Sequence, residues 1–493
     1  MDVRKSFRLG VDADHEHYKW WALSCTSLGM LLATVNSGTL VIALPDLERA
    51  LGVGLLQLVW VILAFMIAST VLVLTFGRLS DLFGRKRAFV VGFLIFTAAS
   101  LGAGFAVGAT DLIAWRILQG IGGALLFANA GAIVTDAFPR EQLGVAMGTN
   151  IMVAGVGLVL GPVLGGALVH ISWHWVFWFN VPIGLLGTWW AASVLREIVK
   201  PEADPRFDWW GTITFVVGLT GLTYGISRGG LASWTDAMTL VPIAVSLVLL
   251  PLFVLIESRV ASPMLDLTLF GDRGFNAATG AAFLSGLSRF SLTFVFVLYF
   301  QGAQGDDPII AGVKLAPLAL GMLISSPLAG RYADRNGARS LAAIGLLVTA
   351  AGMIAMTTLQ TDTAYAITAT WLFIVGVGSG MFNSPNTSAM MGAVEPHRRG
   401  VASGTRMMLQ NTGSVLSIAV LLAIVTSSVP KITLFKIFSG VQSGLSPQAL
   451  DPFIHNIHTA MWVLAASSVA AAAVSLMRPR TAPGPQFAAE TTA

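Results

Sequence analysis

A charged sequence pattern, G-R-x-x-D-x-x-G, occurs twice in this chain, each time in a short break between long apolar stretches. The two copies lie at residues 77–84 and 330–337, and an arginine follows each of them within three residues. A second pattern, G-V-A-x-G-T, repeats at nearly the same offset, at residues 144–149 and 400–405. Charged turns that recur between apolar stretches indicate a duplicated bundle of membrane helices, and such a duplication places a substrate path between its two halves.

The composition points to lipid as the surrounding solvent. Of the 493 residues, 55% are hydrophobic and only 11% are charged, and the mean hydropathy is +0.76. A soluble domain carries about 25% charged residues. The apolar stretches reach or approach the roughly 20 residues that cross a hydrocarbon core. Because lipid offers no partner for an unpaired backbone group, these stretches predict helices, and the chain is predicted to be an all-α membrane protein.

Fourteen apolar stretches between polar breaks are predicted to be membrane spans. They cover residues 21–45, 56–76, 88–108, 112–135, 143–169, 177–195, 209–227, 238–256, 275–300, 311–330, 340–360, 365–392, 401–427 and 456–477. The duplicated patterns match spans 2–3 with spans 10–11, and span 5 with span 13. Spans 1–6 and 9–14 are therefore predicted to be two six-helix bundles, with spans 7 and 8 inserted between them as linker helices.

These matches set the predicted domain boundaries. Residues 1–200 form the N-terminal six-helix bundle, residues 201–260 the two inserted helices, and residues 261–478 the C-terminal six-helix bundle. Residues 479–493 are expected to be a disordered cytoplasmic tail. The longest predicted outer loop, residues 428–455, is expected to contain a hairpin or a short interfacial helix.

Lysine and arginine residues define the predicted orientation. With the N-terminus inside, the outer loops contain few basic residues: Arg49, Arg228, Lys314, Lys431 and Lys436. The remaining loops carry many more, as positive-inside proteins do. Because a shift by one helix would destroy this asymmetry, both termini are predicted to be cytoplasmic in a multi-pass protein of the cell membrane.

Several other classes of protein are disfavoured. Cys25 is the only cysteine, which leaves no internal disulfide and no cysteine-based metal site. The basic residues are scattered through short loops, whereas nucleic-acid binding needs a clustered basic face. We find no nucleophile–base pair, no metal-spaced histidine cluster and no phosphate loop. The sequence therefore predicts a protein that is not an enzyme, with no metal, cofactor or nucleic-acid partner.

Four patterns, spaced by whole helices, resemble those of the major facilitator superfamily, in particular its fourteen-helix drug:proton antiporter branch. They are G-R-L-S-D-L-F-G-R-K-R at 77–87, L-I-x-x-R-x-x-Q-G at 112–120, G-x-x-x-G-P-x-x-G-G at 157–166, and W-H-W-V-F with N-V-P-I-G at 173–184. The fourth departs from the branch at His174, where arginine is usual. The resemblance covers nearly the whole chain. It implies transport by alternating access of the two bundles.

The resemblance implies a gate on the cytoplasmic side. Asp81 would contact the N-terminal end of span 13, just after Arg398 and Arg399, where the helix dipole favours an anion. Arg85 would bridge to Asp136 at the end of span 4. In the alternative interpretation, these charges only cap loops and enforce topology. The residues assigned to the gate are Gly77, Asp81, Gly84, Arg85, Asp136 and Asp334.

Glycines in these patterns predict close backbone packing. Gly77 and Gly84 suit a tight turn with a close helix approach. In span 5, three glycines recur every four residues on one face, which lets another backbone approach, and a proline bends the helix. The resemblance implies that this helix forms a sealed interface that opposes leak. The residues of this antiporter motif are Gly157, Gly161, Pro162, Gly165 and Gly166.

Polar residues inside the apolar spans predict a proton or substrate pathway. Charges there are costly and are expected to face the bundle interior or water, although Arg116 has an alternative role, reaching an interfacial carbonyl. Without paired acids, such arginines make a weakly positive interior that favours neutral or anionic compounds. The residues assigned to this pathway are Asn36, Arg116, Gln119, Arg289, Asn383, Arg406 and Gln410.

Asn36 departs from the resemblance, because the span 1 motif of this branch usually has aspartate at this position. The leading hypothesis is a proton-coupled exporter of amphipathic small molecules, of the multidrug efflux type. In this hypothesis the protons pass along a route that includes Asp136 and Asp81. The missing carboxylate favours the alternative of an uncoupled facilitator or a transporter of lipids or anionic amphiphiles. A receptor or scaffold on the same fold would need an appended sensor domain. The expected partners are small amphipathic substrates, protons and membrane lipid, and the expected state is a monomer.

Overall fold

A computed structural model describes residues 17–139, 143–198, 208–260, 263–265, 267–394, 399–427, 429–438 and 447–479. Across these ranges the regular elements are helical. The first eight helices are α1 (Tyr18–Ile42), α2 (Leu44–Leu51), α3 (Leu55–Phe83), α4 (Arg85–Ala103), α5 (Ala109–Ala137), α6 (Leu143–Ile171), α7 (Trp175–Trp178) and α8 (Asn180–Val194). Two further helices follow, α9 (Trp209–Leu231) and α10 (Ala237–Glu257).

The remaining helices form the second part of the molecule. They are α11 (Arg273–Val297), α12 (Pro308–Lys314), α13 (Ala316–Asn336), α14 (Ala338–Ala355), α15 (Tyr365–Ala393), α16 (Arg399–Thr426), α17 (Lys431–Phe438) and α18 (Pro447–Leu476). A π-helical segment, Leu298–Ala303, continues α11.

Twelve helices in the described ranges are long and apolar enough to cross a membrane. Helices α8 and α9 lie outside that set. The predicted span 177–195 is divided, because a break at Phe179 separates α7 from the 15-residue α8. The structure thus describes an all-α protein with multiple candidate membrane spans, and the count of fourteen stays a prediction.

The two bundles repeat the same helix pairings. In the N-terminal bundle α1 packs on α6, α3 on α5, and α4 on both α5 and α8. In the C-terminal bundle α11 packs on α16, α13 on α15, and α14 on both α15 and α18. Helices α9 and α10 pack on each other, and α9 also contacts α3 and α16. The duplication seen in the sequence is therefore also present in the packing.

The duplicated charged pattern forms equivalent turns in the two bundles. Gly84 separates α3 from α4 with φ +102°, and Gly337 separates α13 from α14 with φ +85°. These positive φ values explain the glycine at both positions, because side chains with a Cβ rarely adopt them. Below, the end of the molecule that carries the Gly84 turn is called the motif end, and the opposite end is called the far end.

Some predicted span boundaries differ from the ends of the helices. Predicted span 10, at 311–330, lies within one candidate membrane span, Pro308–Ala333, which a break at Leu315 divides into α12 and α13. Pro317 in the first turn of α13 suits a helix start. The last span was predicted at 456–477, but α18 begins nine residues earlier at Pro447. The short helix expected in the loop 428–455 is α17. The predicted tail 479–493 lies outside the described residues except for Pro479.

Candidate transport cavity

A cavity of about 300 Å³ lies between the two bundles. Helices α1, α3, α5 and α6 line it on one side, and α11, α13, α15 and α16 on the other. Its polar lining residues include Thr34, Ser37, Ser69, Thr70, Asn150, Thr293, Ser379, Asn383, Thr387, Arg406, Gln410, Asn411 and Ser414. The cavity therefore lies at the interface of the repeated halves, where a duplicated membrane bundle is expected to hold its substrate.

Methionine and phenylalanine side chains form much of the apolar lining. They are Met30, Met66, Met147, Met322 and Met407, together with Phe65 and Phe127. Methionine is unbranched and polarizable, so it adapts to ligands of different shape and makes favourable contacts with aromatic rings. Such a wall suits amphipathic molecules with aromatic parts. Sequence analysis did not identify these residues, because apolar residues in a membrane helix face lipid, other helices or a cavity with no difference in pattern.

A polar network on the C-terminal side of the cavity joins three of the predicted pathway residues. Arg406 donates from Nη1 to Gln410 Oε1 at 2.8 Å. Gln410 donates from Nε2 to Asn383 Oδ1 at 3.2 Å. All three side chains line the cavity. The structure therefore brings these predicted residues together at the wall where a ligand would bind.

The charge of the cavity wall is positive. Arg406 is the one charged residue among the described residues that line it, and the lining includes neither aspartate nor glutamate. A guanidinium here attracts an anionic group and repels a cation, and the low dielectric of the interior strengthens both effects. This arrangement favours neutral and anionic ligands.

A second polar network lies in the N-terminal bundle, around Arg116 on α5. This side chain is 1% exposed. Its Nε donates to the Val61 carbonyl of α3 at 3.0 Å, and its Nη1 donates to Gln119 Oε1. The guanidinium lies 4.5 Å from the centroid of the Phe65 ring. Both predicted roles are partly seen, since Arg116 faces the bundle interior and also reaches a backbone carbonyl, but that carbonyl is buried rather than interfacial.

Asn36 is joined to this network through Gln119. Gln119 Nε2 donates to Asn36 Oδ1 at 3.1 Å and to Ser100 Oγ at 2.7 Å. Asn180 on α8 also donates to Asn36 Oδ1, at 3.3 Å. Asn36, Arg116 and Gln119 do not line the cavity, whereas Phe65 does. The predicted pathway residues are thus divided into a sealed group and a group that faces the cavity.

The predicted contact between Arg85 and Asp136 is confirmed. Arg85 Nη1 lies 2.6 Å from Asp136 Oδ1, at the motif end of α4 and α5. Glu197, which sequence analysis missed, accepts hydrogen bonds from the backbone N–H groups of Arg85 at 2.6 Å and Lys86 at 3.2 Å. Carboxylates are favoured there because the first N–H groups of a helix lack intrahelical partners.

The expectation for Gly77 was wrong. Gly77 lies within α3, and a Cβ added to it would meet nothing within 4 Å. The helix continues to Phe83, so the tight turn begins only at Gly84. At Gly84 the expectation holds, since a Cβ would lie 2.6 Å from Glu197 Oε2.

Other predicted gate and pathway residues fall on parts of the chain whose side chains the structure does not describe. The backbones of Asp81, Arg289 and Asp334 are helical, but their side chains lie outside the described set. Arg398 lies outside the described residues, and so does the side chain of Arg399. The predicted contact of Asp81 with the start of α16 therefore stays a prediction.

The glycines of α6 make two different interfaces. A Cβ on Gly157 would lie 2.1 Å from Thr34 Oγ1, and a Cβ on Gly161 would lie 2.8 Å from the Gly38 Cα. Gly165 packs in the same way on the Thr39 backbone. All three contacts are with α1, so this face joins α6 to its own bundle by close backbone approach.

The other face of α6 meets the C-terminal bundle at the far end. A Cβ on Gly166 would lie 2.6 Å from the Ile309 Cα of α12. A Cβ on Gly312 would lie 2.4 Å from the Pro162 carbonyl oxygen. Close by, Gln301 Nε2 donates to the Ile42 carbonyl at 3.2 Å across the two bundles. Backbone packing between the halves thus closes the far end. Sequence spacing alone did not show which glycines of α6 form this interface and which contact α1.

Comparison with known proteins shows which family and which proteins this chain is similar to. The family model described as Major Facilitator Superfamily matches residues 26–418, and again residues 281–492. The chain is 31% identical over 395 residues to Multidrug resistance protein 3 of Bacillus subtilis, covering 80% of this chain and 77% of that protein. It is 29% identical over 411 residues to the Tetracenomycin C resistance and export protein of Streptomyces glaucescens, covering 83% and 76%.

Two further similarities are to a relative with a different named substrate and to a solved structure. The chain is 28% identical over 402 residues to the Riboflavin transporter RibZ of Clostridioides difficile, covering 81% of this chain and 87% of that protein. Among solved structures, a bacterial homolog of the human lysosomal transporter Spinster, in an inward-facing and unoccupied conformation, has a TM-score of 0.65. It is 16% identical and covers 94% of this chain and 97% of that chain, so it supports the fold alone.

Proposed function

This chain belongs to the Major Facilitator Superfamily, and on that premise we propose that it is a proton-coupled secondary exporter of neutral and anionic amphipathic small molecules. It works by alternating access, in which the two bundles rock around the cavity between them. Relatives named as multidrug resistance and export proteins support the efflux direction. The relative named as a riboflavin transporter adds a heteroaromatic compound to the substrates that similar chains carry.

The observation that supports this proposal best is the composition of the cavity wall. Among the described lining residues, it combines five methionines and two phenylalanines with one cationic group, Arg406, and neutral amides. The apolar part binds ligands of varied shape, and the few polar groups orient one end of the ligand. An amphiphile with an aromatic body and an anionic or hydrogen-bonding end fits this chemistry. Arg289 of α11 is assigned the same role on the basis of its sequence position.

Asn36 supports a second candidate function. The described lining has no carboxylate, and Asn36 replaces the acid that is usual in the drug:proton antiporter branch. A protein of this kind can equilibrate its substrate without protons, or move lipids and lipid-like anions between leaflets. The two candidates differ in one property, the dependence of transport on ΔpH.

The proposed topology has fourteen spans, as in the fourteen-helix branch that the sequence resembles. Helix α8 packs on α4 as α18 packs on α14, so α8 is counted as the sixth span in spite of its length. Helices α9 and α10 pack as a hairpin and count as the seventh and eighth spans. An even number of spans puts both termini on the same side of the cell membrane. The distribution of basic residues makes the cytoplasmic side the proposed one. The proposed functional unit is a monomer.

The proposed gate lies at the motif end. Asp81 binds the start of α16 in the state that is closed to the cytoplasm, and Asp334 has the equivalent position in the C-terminal bundle. The ion pair of Arg85 with Asp136 holds α4 to α5 beside it. Asp81→Asn is expected to abolish turnover in a folded protein, and unchanged transport would remove Asp81 from the gate.

Transport in inside-out membrane vesicles tests the proposed function. A panel of cationic, neutral and anionic amphiphiles is applied with ΔpH alone and then with membrane potential alone. Proton-coupled export predicts uptake of the neutral and anionic members that collapses when ΔpH is removed. Equilibration that is indifferent to both forces would instead establish the facilitator. Preferential uptake of cations would contradict the proposed substrate class.

A further inference from the structure

Two buried carboxyl groups meet where the chain enters and leaves the α9–α10 hairpin. Asp208 precedes α9 as its N-cap, and Glu257 is the last residue of α10. Asp208 is 5% exposed and Glu257 is 2% exposed. Carboxyl groups are almost never buried to this degree unless they are paired. The pair is separate from the transport cavity and from the Arg85–Asp136 ion pair.

Each carboxyl group uses one oxygen in a backbone hydrogen bond. Asp208 Oδ1 accepts from the Gly211 N–H at 2.8 Å, and Glu257 Oε2 accepts from the Leu265 N–H at 3.0 Å. The remaining oxygens, Asp208 Oδ2 and Glu257 Oε1, are buried without a hydrogen-bond partner. A buried oxygen without a partner costs about 1–3 kcal/mol or more. These two atoms therefore require an explanation.

The two unpartnered oxygens converge on one point. A Cβ added to Gly211 would lie 2.2 Å from Asp208 Oδ2 and 2.7 Å from Glu257 Oε1. Because position 211 is glycine, no Cβ occupies this point, and both oxygens lie close to it. Two carboxylate oxygens are both acceptors, so they form a hydrogen bond only when one of them carries a proton.

Among the residues that the structure describes, no basic group pairs with either acid. In the described ranges no lysine, arginine or histidine is within ion-pair distance of either carboxyl group. The neighbouring groups are two threonines and the sulfur of Met264. Thr212 Oγ1 donates to the Asp208 carbonyl at 2.8 Å. The same Oγ1 lies 3.5 Å from Thr75 Oγ1 of α3 and contacts the Met264 sulfur. Two ionised carboxylates side by side repel each other, and a proton on either one removes that repulsion.

We propose that Asp208 and Glu257 bind one proton between them, as an O–H···O bond that joins Oδ2 to Oε1, and that this pair is the proton site of the transport cycle. The first part stands on the geometry of the hairpin alone. The second part rests on the proposed function. It assigns proton binding to the inserted helices, because span 1 has Asn36 at the position where the branch usually has a carboxylate.

A proton fits this site better than a metal ion. The described residues contain no group of three or more histidine, cysteine, aspartate or glutamate side chains that could hold a metal. Calcium takes six to eight oxygen ligands and magnesium an octahedron of them. Only two oxygens are unpartnered here. One proton satisfies both of them at once, since one oxygen donates and the other accepts.

The position of α9 links this site to the movement of the two bundles. Near the motif end Thr212 contacts Thr75 of α3, in the N-terminal bundle. At the far end Thr426 of α16 donates to the Gly230 carbonyl at 3.0 Å, and a Cβ on Gly230 would lie 2.3 Å from the Ala423 Cα. Helix α9 thus contacts both bundles: it contacts α3 through Thr212 and again through Tyr224, whose ring lies 5.6 Å from that of Trp60, and it contacts α16 near its far end. Loss of the proton puts two like charges at the start of α9, which favours a different arrangement of these contacts.

Infrared difference spectroscopy of the purified protein tests the shared proton. The C=O stretch of a protonated carboxyl group lies apart from the amide bands and shifts in D₂O. Near neutral pH we expect this band in the unaltered protein and its loss in both Glu257→Gln and Asp208→Asn, since each new amide donates an N–H to the remaining carboxylate. Asp236→Asn is the matched control, because Asp236 caps α10 at the other end of the same hairpin and pairs with Arg228. A band that survives in both variants, or that is lost equally in the control, overturns the shared proton.

A further variant keeps both acids and removes only their contact. Gly211→Ala places a methyl group where the two oxygens meet. We expect the protonated-carboxyl band to move or disappear while both acids are still present. An unchanged band in Gly211→Ala would show that the oxygens do not share a proton.

Reconstituted vesicles test the role of the pair in transport. We expect Glu257→Gln to lose accumulation of substrate driven by ΔpH while it retains exchange of substrate for substrate, which needs no net proton movement. Accumulation equal to that of the unaltered protein would overturn the coupling role but leave the shared proton intact. Absence of any transport by the unaltered protein would count against the proposed function, and the infrared result would still decide whether the proton is shared.

Discussion

The two bundles contain polar networks of the same composition that are placed differently. In the N-terminal bundle Arg116 binds Gln119, which binds Asn36. In the C-terminal bundle Arg406 binds Gln410, which binds Asn383. The first network is sealed behind Phe65, with Arg116 only 1% exposed, whereas the second lines the cavity. Equivalent chemistry thus stabilises helix packing in one half and is available to a ligand in the other.

This difference teaches that an arginine inside a membrane span does not by itself mark a binding site. Arg116 is satisfied by the Val61 carbonyl, by Gln119 and by the Phe65 ring. Its hydrogen bonds are made inside one bundle, so they persist when the two bundles move relative to each other. Arg406 instead faces the space that changes during alternating access. Four pairs of substitutions test this contrast.

The largest effect is expected from Gln119→Leu on stability. This change removes the acceptor of the buried Arg116 and the donor to Asn36, so a buried charge loses a partner. We expect a loss of about 3 kcal/mol in the free energy of unfolding, measured by thermal or denaturant unfolding in detergent. Gln410→Leu is the matched control, because water in the cavity can solvate Arg406, and its cost is expected to stay below about 1 kcal/mol. Equal losses for the two variants would contradict the contrast.

Arg406→Gln is expected to change ligand selectivity. The substitution keeps a hydrogen-bonding side chain and removes the one charge of the described lining. The Kd for anionic amphiphiles is expected to rise about tenfold, or about 1.4 kcal/mol, while the Kd for neutral ones changes much less. Asn411→Ala, which removes a neutral lining residue, serves as the control. If both classes of ligand weaken equally, Arg406 does not select charge.

A new carboxylate is expected to act differently in the two networks. Asn383→Asp places a negative charge in the cavity wall, and we expect the affinity for cationic amphiphiles to increase by roughly 1 kcal/mol. Asn36→Asp places the same charge behind Phe65 and close to the Arg116 network, so equilibrium binding of cations is expected to change little. Binding titrations with one cationic dye compare the two variants directly. A gain in cation affinity from Asn36→Asp would show that the first network is open to the ligand.

The smallest effect is expected from Phe65→Leu. The ring of Phe65 separates Arg116 from the cavity, so a smaller side chain brings the guanidinium closer to a bound anion. We expect the affinity for anionic amphiphiles to increase by about two- to threefold, below about 1 kcal/mol. Phe127→Leu trims the other lining phenylalanine and should give no such preference for anions. The same gain in both variants would point to cavity size as the cause.

The duplicated pattern predicted the parts of the structure that depend on short-range chemistry. The Gly84 and Gly337 turns follow from the repeated glycines, which allow positive φ. The contact of Arg85 with Asp136, which the resemblance to the superfamily implied, is also present. The assignment of Gly77 to a turn was wrong, because no local signal showed that α3 continues past it. The meeting of Asp208 with Glu257 has no sequence signal, because only the packing of α9 on α10 brings these two residues together.

The sequence by itself determined that the chain is a duplicated, all-helical membrane protein of a transporter family, because lipid dictates helices and repeated motifs dictate repeated bundles. Only the tertiary structure decided which polar residues face the cavity, which are sealed, and which glycines of α6 close the far end against α12. In these membrane helices most residues on every face are apolar, so periodicity does not separate a lipid-facing residue from a packed or ligand-facing one. Burial, and the partner across the interface, make that distinction.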